Sequence, residues 1–218
     1  GPSSYSVLNS FLDLSKIVNF LDINIIEFDN TEIYISRSGY TGEDGFEISI
    51  SNENAENFIN KVFKNENTLL CGLGCRDSLR VEAGLSLYGN EINEDITPIQ
   101  ANLSWAIDKK RLDDENLNGS NILLQQLQET KDTVKIGITP VNKTMLRNNM
   151  TLHNMEKNEI GYITSGCFSP TLKRSIGIGY INNFTNKLDK LFVKVRGEFE
   201  EVIIDNIPFV KKNYKKGG

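Results

Sequence analysis

The chain has 218 residues and a formal net charge of -5, with 39% hydrophobic and 24% charged residues. This length and composition are ordinary for a soluble globular protein with one large domain or two small ones. The mildly acidic balance argues against nucleic-acid binding through a basic surface. Because no run of about 18 apolar residues occurs, we expect no membrane span.

The first predicted elements are a helix and a β-hairpin. Apolar residues recur at helical spacing over residues 6–21, which predicts a helix. Asp29 and Asn30 separate two alternating apolar runs, and this pattern predicts a tight turn between two strands. The second strand, residues 33–36, leads into a loop rich in glycine.

Two further helices are predicted before the composition changes. One is amphipathic, spans residues 51–65 and has Ser51 or Asn52 at its cap. The other spans residues 75–87. We expect Asp77 in the first turn of that helix, where a negative charge interacts favourably with the helix dipole.

After Trp105 the sequence is charged and lacks an apolar face, and short strands separated by turn signals then follow. Their regular spacing predicts a small all-β barrel or sandwich. The fold class is therefore α+β, with an α+β domain over 1–117, a helical connector over 118–131 and a β-barrel over 132–218. The predicted strands of the last part are 134–141, 159–166, 175–181, 190–197 and 199–210.

Cysteine and histidine content limits the chemistry. The three cysteines, Cys71, Cys75 and Cys167, form no disulfide-rich pattern, which favours a reducing compartment. No further cysteine or histidine lies near the first two to complete a zinc site, so we expect no metal. The only histidine, His153, lies in a polar stretch that is typical of a surface turn.

The stretch SRSGYTGEDGFEISI, residues 36–50, carries the strongest local signal. Strand alternation places Phe46, Ile48 and Ile50 on the core face and turns Glu47 the opposite way. The loop before this strand is longer than the roughly two to five residues that a hairpin needs. Two interpretations stay open, a ligand-binding loop and an ordinary surface loop beside a solvated glutamate.

Four long stretches, in order along the chain, resemble the glycine cleavage T-proteins, a family of aminomethyltransferases. They are SRSGYTGEDGFEISI, GLGCRDSLRVEAGLSLYGNEINEDITPIQANLSW, GYITSGCFSPTLKRSIGIGY and NIPFVKKNY. The resemblance implies part of a three-domain, clover-leaf folate-binding fold with a central channel and a C-terminal β-barrel. It starts at an interior point of the family, so we expect an N-terminal portion of more than roughly a hundred residues to be absent.

The resemblance also implies an activity. Enzymes of this family transfer a one-carbon unit from an aminomethyl group on the lipoyl arm of H-protein to tetrahydrofolate and release ammonia. The implied partners are the lipoylated H-protein and a small-molecule folate, which is the acceptor substrate. The implied location is the bacterial cytoplasm, with the mitochondrial matrix as the alternative.

Four residues match folate-binding positions of the family. Glu47 matches a glutamate that grips the pterin, whose amino group and ring N–H suit a bidentate carboxylate. Tyr40 matches a tyrosine that lines the site, Arg76 an arginine of the following helix, and Tyr214 a tyrosine near the family's C-terminus. Arg76 also lies one turn before Arg80, and a nearby anion, either a side chain or the ligand, would relieve their mild repulsion.

Two expectations concern the partner and the chemistry. The basic run Lys109, Lys110 and Arg111 is a candidate docking site for the acidic H-protein, with a plain solvated charge run as the alternative. The family's catalytic aspartate lies in the portion without a counterpart here, and neither Asp44 nor Asp77 matches its motif. We therefore expect no catalytic residue in this chain and little or no turnover from it alone.

Related branches of the same fold provide the competing hypotheses. One is the folate-binding module of a demethylating dehydrogenase of the sarcosine or dimethylglycine type, and another is a non-catalytic folate-binding protein. The dehydrogenases need a flavin-binding region with a glycine-rich dinucleotide fingerprint, which is not visible in these residues. An iron–sulfur assembly branch carries K-G-C-Y-x-G-Q-E where this chain has CRDSLRVEAGL, and this difference argues against that branch.

Overall fold

The computed structural model describes residues 1–112, 117–128, 133–182 and 190–215. The chain forms two compact units. The first unit contains Gly1–Ala83 together with the C-terminal segment that starts at Lys211, and the second unit contains Gly84–Val210. The predicted fold class, an α+β region followed by a β-barrel, is confirmed, whereas the exact domain limits given above stay a prediction.

The first unit is built on a three-stranded antiparallel sheet with strand order β1-β2-β3. Three helices accompany this sheet. The elements are α1 (Ser4–Asn9), β1 (Ile23–Phe28), β2 (Thr31–Ser36), β3 (Glu47–Ser49), α2 (Asn52–Phe63) and α3 (Leu73–Glu82).

The predicted hairpin turn is confirmed, but the first helix is much shorter than predicted. Asp29 and Asn30 have φ angles of 49° and 62°, the left-handed conformation that these residue types tolerate in tight turns. Helix α1 ends at Asn9. Beyond it the Asp13 carboxylate accepts a hydrogen bond from the backbone N–H of Ser15 at 2.9 Å, a local bond that competes with helix formation.

One face of this sheet carries the core of the first unit. Phe28 of β1 packs edge-to-face against Phe11 and Phe58, with ring centroids 6.2 and 5.0 Å away. Phe46, Ile48 and Ile50 pack against the same cluster, as strand alternation predicts. The buried members of the cluster are Leu8, Leu12, Leu14, Ile17, Ile26, Phe28, Ile33, Ile35 and Phe58.

The predicted cap of α2 is confirmed, whereas the start of α3 differs from the prediction. Ser51 does occupy the N-cap position of α2, but its side chain makes no capping hydrogen bond. Helix α3 begins at Leu73 after Gly72, so its first turn contains no acidic residue and the placement of Asp77 there is wrong. Asp77 instead accepts a hydrogen bond from Arg80 Nε at 2.8 Å. Its carboxylate is therefore a nearby anion of the type expected to relieve the repulsion between Arg76 and Arg80.

The second unit contains a closed six-stranded barrel with strand order β4-β7-β6-β5-β8-β9. Helix α4 (Ser120–Gln128) precedes it, and single 3₁₀ turns lie at Ser104–Ala106 and Lys109–Arg111. All five predicted strands are present, and one strand was missed. The strands are β4 (Thr133–Pro140), β5 (Thr151–His153), β6 (Glu159–Ser169), β7 (Arg174–Asn182), β8 (Leu191–Val195) and β9 (Glu198–Asp205).

The missed strand contains His153, so the interpretation of this histidine as a surface-turn residue is wrong. Its side chain is buried, with 8% exposed. Nε2 lies 2.7 Å from Thr151 Oγ1, and Nδ1 lies 3.2 Å from the carbonyl oxygen of Lys157. Both ring nitrogens therefore have polar partners, as a buried imidazole requires.

Strands β6 and β7 of the barrel approach closely at Gly161, where the residue has no Cβ. A Cβ added at Gly161 of β6 would overlap the carbonyl oxygen of Tyr180 in β7. The barrel core beneath these strands is formed by aliphatic residues, among them Ile138, Ile163 and Val193. The side chains therefore fill the barrel, as is usual in small closed barrels.

Two features are absent from the part of the chain that the structure describes. No helix there is long and apolar enough to cross a membrane. Across residues 1–112, 117–128, 133–182 and 190–215, no group of three or more histidine, cysteine, aspartate or glutamate side chains is arranged to hold a metal ion.

Candidate functional site

Glu47 lies at the start of β3 on the sheet face opposite the hydrophobic core. Its side chain is exposed. Ser36 of β2 pairs directly with Glu47 in the sheet register. The hydroxyls of Ser36 and Ser38 lie 2.7 Å apart, and Ser38 Oγ donates a hydrogen bond to Glu47 Oε2 at 2.6 Å. Two serine hydroxyls thus orient one carboxylate oxygen.

The outer sheet face around Glu47 is partly apolar. Tyr34 pairs with Ile25 across β1 and β2, and these side chains are 53% and 44% exposed. Ser49, the next residue of β3 on this face, is also exposed. A flat aromatic ligand beside the carboxylate would find both polar and apolar contacts on such a surface.

The loop between β2 and β3, residues 37–46 and here called the glycine loop, is held by a buried ion pair. Arg37 is 4% exposed. Its Nε and Nη2 donate to the two oxygens of Asp44 at 2.9 and 2.6 Å, and Nη1 donates to the carbonyl oxygen of Val18 at 2.6 Å. The bidentate geometry is the strong form of this pair. The Arg37 guanidinium holds the pKa of the Asp44 carboxyl below its usual range.

Gly42 lets the glycine loop pack closely against the end of α3. Its φ angle is 78°, and a Cβ added there would lie 2.8 Å from Cβ of Ala83. Both the left-handed backbone and the lack of space favour glycine at this position. The carbonyl oxygen of Gly42 accepts a hydrogen bond from the backbone N–H of Asn213 at 2.8 Å.

Tyr40 and Arg76 are in direct contact. The guanidinium carbon of Arg76 lies 4.8 Å from the centroid of the Tyr40 ring, within the range of a cation–π interaction. Arg76 is on the first turn of α3 and is exposed, whereas Tyr40 in the glycine loop is half-buried. The loop and the helix thus present an aromatic ring and a positive charge together.

The C-terminal segment binds along the glycine loop and places Tyr214. The Asn213 amide donates to Glu43 Oε1 at 3.0 Å, next to the backbone bond with Gly42. The Tyr214 ring stacks on Phe20 with centroids 4.1 Å apart and planes 4° apart. Burial raises the pKa of the Tyr214 phenol.

All four predicted folate-binding residues therefore belong to the first unit, and each is attached to the glycine loop or to a residue bonded to it. Tyr40 is in the loop, Ser38 links Glu47 to it, and Tyr40 links Arg76 to it. Asn213 connects the segment of Tyr214 to it. The roles of these side chains in folate binding stay a prediction.

The basic run predicted to dock a partner lies in the second unit. It forms a single 3₁₀ turn, and the side chains of Lys110 and Arg111 are exposed. The Lys109 side chain lies outside the described part of the structure. The backbone N–H of Lys110 donates to Asp108 Oδ1 at 3.0 Å, which fixes the start of the turn.

The two aspartates considered for catalysis are engaged in ion pairs. Asp44 pairs with Arg37, and Asp77 pairs with Arg80, whose side chain is 1% exposed. These contacts give both carboxylates structural roles in the first unit.

Sequence reasoning missed the residues that support the site. Phe20 and Asn213 make long-range contacts, which sequence separation hides, and Ser38 reaches Glu47 across the glycine loop. Ser36 and Ser38 alternate with Arg37 in the sequence, so both hydroxyls are expected on one side of an extended segment. This alternation is the sequence feature that could have suggested serine hydroxyls near the Glu47 carboxylate.

Two family models match the chain. One, described as "GCVT N-terminal domain", matches residues 1–111. The other, described as "Glycine cleavage T-protein C-terminal barrel domain", matches residues 131–211.

The chain is also similar to curated proteins and to a solved structure. "Aminomethyltransferase, mitochondrial" from Flaveria anomala is 39% identical over 99% of this chain and 54% of its own length. The protein of the same name from Homo sapiens is 36% identical over 98% of this chain and 54% of its own length. The chain therefore spans about half the length of these relatives. The crystal structure of glycine cleavage system aminomethyltransferase T from Bartonella henselae matches with a TM-score of 0.89 and 33% identity, over 97% of this chain and 58% of that chain.

The first family model alone covers just over half of the 218 residues. The barrel model covers most of the remainder, in the part where the structure has its closed barrel. The resemblance found in the four sequence stretches is confirmed, and the chain belongs to the glycine cleavage T-protein family.

Proposed function

We propose that this chain forms a tetrahydrofolate-binding part of an aminomethyltransferase. The reaction is transfer of a one-carbon unit from the aminomethyl group on the lipoyl arm of H-protein to tetrahydrofolate, with release of ammonia. The names of the relatives support this class over the dehydrogenase alternative. The observation that carries the proposal is that the glycine loop contains Tyr40 and contacts Glu47, Arg76 and Asn213, the neighbour of Tyr214.

Glu47 is proposed to bind the pterin ring. Among the described residues, Ser38 is the side chain that donates a hydrogen bond to its carboxylate, and it uses Oε2. A carboxylate offers about four lone-pair sites, so Oε1 and the remaining site on Oε2 can accept two parallel N–H groups. The amino group and adjacent ring N–H of a pterin have this arrangement, and bidentate pairing would orient the ring.

Arg76, Tyr40 and Tyr214 are proposed to complete the binding surface. A guanidinium held over an aromatic ring is restricted in its motion, so less side-chain entropy is lost when a ligand binds. The half-buried ring of Tyr40 offers a face to a flat ligand. Stacking on Phe20 fixes the Tyr214 ring in the same way.

The proposed role of these side chains is to bind and orient the acceptor. An enzyme gains rate when the attacking nitrogen of the folate is held close to the transferred carbon. Fixed contacts to the pterin supply that alignment. Proton transfer is not assigned to Asp44 or Asp77, because both are held in ion pairs.

The direct test is titration of tetrahydrofolate against the wild-type chain and Glu47→Gln. The amide replaces one acceptor oxygen with a donor that faces the pterin. We expect a loss of about 1.5–3 kcal/mol, or about 10- to 150-fold in Kd. Glu32→Gln is the matched control, because Glu32 is an exposed carboxylate on the neighbouring strand. Equal affinities of Glu47→Gln and wild type would remove Glu47 from the site.

Arg76→Ala tests whether α3 contributes to the proposed binding surface, and the measurement is the same titration with tetrahydrofolate. We expect weaker binding by about tenfold, since a hydrogen bond or contact to a charged group is lost. Arg147→Ala is the control, because Arg147 is an exposed arginine in the second unit. Unchanged affinity of Arg76→Ala would restrict the site to the glycine loop and the C-terminal segment.

Lys110 and Arg111 are proposed to attract an acidic H-protein. Exposed charges of this kind act mainly on the association rate and are screened by salt. The double variant Lys110→Glu with Arg111→Glu should slow association with lipoylated H-protein at low ionic strength and have little effect at high salt. Lys194→Glu, an exposed barrel lysine, is the control. Identical association rates at low salt would exclude this turn as the docking site.

The location proposed for this activity is the mitochondrial matrix. The relatives from Flaveria anomala and Homo sapiens are both named as mitochondrial, which supports the second of the two predicted locations. Microscopy of the fluorescently tagged full-length protein would test it, and exclusion of the tag from mitochondria would contradict it.

A further inference from the structure

The outer face of the three-stranded sheet carries large apolar side chains beside Glu47. The side chains that share this face form two rows across the strands, Ile23, Ser36 and Glu47 in one and Ile25, Tyr34 and Ser49 in the other. Ile23 is 69% exposed, and Tyr34 and Ile25 are about as exposed as each other. Large apolar side chains that are exposed together are typical of a ligand-binding or interaction surface.

Tyr34 is the diagonal neighbour of Glu47 on this face. It lies two residues before Ser36, which pairs directly with Glu47. Diagonal neighbours in an antiparallel pair are about 7–8 Å apart, a separation that aromatic and other long side chains can bridge. The Tyr34 ring and the Glu47 carboxylate can therefore contact the same small ligand.

The open side of the Glu47 carboxylate is the side of Tyr34. Ser38 donates to Oε2 at 2.6 Å, and it lies beyond Ser36 at the loop end of β2. Tyr34 lies on the other side of Ser36, within the strand. Because Ser38 occupies the loop side, a ligand that pairs with the remaining lone pairs of the carboxylate approaches from the side of Tyr34.

We propose that Tyr34 is a further binding residue of the folate site, whose ring packs on the second ring of the pterin while Glu47 holds the first. This assignment rests on the proposed function. The first ring of a reduced pterin carries the amino group and the N–H that pair with a carboxylate. The fused second ring carries C–H and N–H groups, whose positive edges are attracted to the negative face of an aromatic ring.

The contact with Tyr34 fixes the orientation of the acceptor. Two hydrogen bonds to Glu47 alone leave the pterin free to tilt about the carboxylate, whereas packing of the second ring removes that freedom. The second ring contains the attacking nitrogen, so its position determines the alignment with the transferred carbon. Ile25 pairs directly with Tyr34, and such an aromatic–β-branched pair restricts the tyrosine before a ligand binds.

The test is titration of the wild-type chain, Tyr34→Leu and Tyr34→Phe with tetrahydrofolate and with 6-methyltetrahydropterin, which has both pterin rings but no aminobenzoyl tail. We expect Tyr34→Leu to raise Kd for both ligands about 2- to 12-fold, as for the loss of one aromatic contact. Tyr34→Phe keeps the ring and should bind like wild type. Tyr162→Leu is the control, because Tyr162 is an exposed tyrosine on strand β6 of the barrel.

The outcomes separate this role from the proposed function. If Glu47→Gln binds tetrahydrofolate more weakly and Tyr34→Leu binds it like wild type, the role of Tyr34 is wrong and the folate site stands. A loss with tetrahydrofolate but not with 6-methyltetrahydropterin also overturns it, because the ring then contacts the tail. Failure of both ligands to bind the wild-type chain refutes both proposals.

A second copy of the chain is the other occupant that an apolar face of this kind could take. Sedimentation velocity of the wild-type chain and Tyr34→Leu without ligand checks for it. We expect the same sedimentation coefficient for both. A wild-type dimer that Tyr34→Leu dissociates, together with an unchanged Kd, would assign the face to self-association and overturn the role of Tyr34 in binding the pterin.

Discussion

Ser38 Oγ donates a hydrogen bond of 2.6 Å to Glu47 Oε2, and Ser36 Oγ lies 2.7 Å from the same serine hydroxyl. Ser36 is the cross-strand partner of Glu47, and Ser38 lies at the start of the glycine loop. The two serines therefore couple the direction of the carboxylate to the backbone of β2. A glutamate on an exposed strand would otherwise sample several rotamers and lose more entropy when it binds a ligand.

Removing the Ser38 hydroxyl should weaken folate binding without unfolding the protein. Ser38→Ala loses one hydrogen bond worth about 0.5–1.5 kcal/mol, so we expect Kd for tetrahydrofolate to rise about 2- to 12-fold. Isothermal titration measures this change. Ser38→Thr keeps the hydroxyl and should restore most of the affinity, whereas Ser49→Ala on the same sheet face should behave like wild type. Wild-type affinity in Ser38→Ala would show that Glu47 needs no such orientation.

The Arg37–Asp44 pair should stabilise the first unit in a pH-dependent way. Asp44→Asn leaves the Arg37 guanidinium, whose side chain is 5% exposed, without its anionic partner. Since Asp44 is itself partly exposed, we expect a loss of about 2–3 kcal/mol in the free energy of unfolding, below the full cost for a buried pair. Urea denaturation at about pH 7 measures it, with Glu32→Gln as the control.

The sign of the pH effect follows from the lowered pKa of Asp44. In the unfolded chain the Asp44 carboxyl has the ordinary aspartate pKa of about 3.9. Its pKa in the folded state is lower. The contribution of the Arg37–Asp44 pair to the free energy of unfolding is therefore complete well above a pH of about 3.9. It is lost as the pH falls through the folded-state pKa of Asp44. The difference between wild type and Asp44→Asn should shrink at about pH 3. A difference that is equal at both pH values would contradict this linkage.

Glu91 should be essential for the stability of the second unit. It is fully buried, with 0% exposed. Its Oε2 accepts the backbone N–H of Leu87 at 2.9 Å, and Oε1 accepts the hydroxyls of Thr164 at 2.6 Å and of Ser165. The Glu91 carbonyl oxygen accepts the hydroxyl of Tyr180 at 2.7 Å.

Glu91→Ala leaves these three side-chain and backbone donors without the carboxylate. The Thr164 hydroxyl keeps the carbonyl oxygen of Ile178 as an acceptor at 3.0 Å. For the other two donors we expect a loss of about 2–6 kcal/mol, since each buried donor left unsatisfied costs about 1–3 kcal/mol. Thermal unfolding followed by circular dichroism measures it. Glu94→Ala removes an exposed glutamate of the same loop and should change little. Similar melting temperatures for the two variants would show that the barrel does not depend on this network.

Gly161 should tolerate no side chain. A Cβ there would overlap the Tyr180 carbonyl oxygen of the adjacent strand, and the strands must separate to admit it. We expect Gly161→Ala to lose at least about 3 kcal/mol or to fail to fold. Gly74→Ala adds a Cβ in α3 with no atom within 4 Å and should be neutral or stabilising by up to about 1 kcal/mol. A stable Gly161→Ala barrel would refute this packing argument.

Local patterns were sufficient for much of the fold. Alternation of apolar residues in 46–50 predicted which side chains of β3 reach the core, because successive residues of a strand face opposite sides. The Asp29–Asn30 turn was readable because these residue types adopt left-handed φ angles. The same local reasoning failed for residues 10–21, where apolar residues at helical spacing enter the core from a non-helical segment, because packing overrides weak helix propensity.

The sequence by itself determined the family, the α+β region with its following barrel, and the identity of Glu47, Tyr40, Arg76 and Tyr214 as candidate ligand contacts. Only the tertiary structure decided which residues support them. Phe20 meets Tyr214 although almost the entire chain separates the two. His153 lies on a short strand whose partners, β6 and β8, lie elsewhere in the barrel. Contacts of this kind are set by which surfaces can be buried together, and burial is a property of the whole folded chain rather than of any window of sequence.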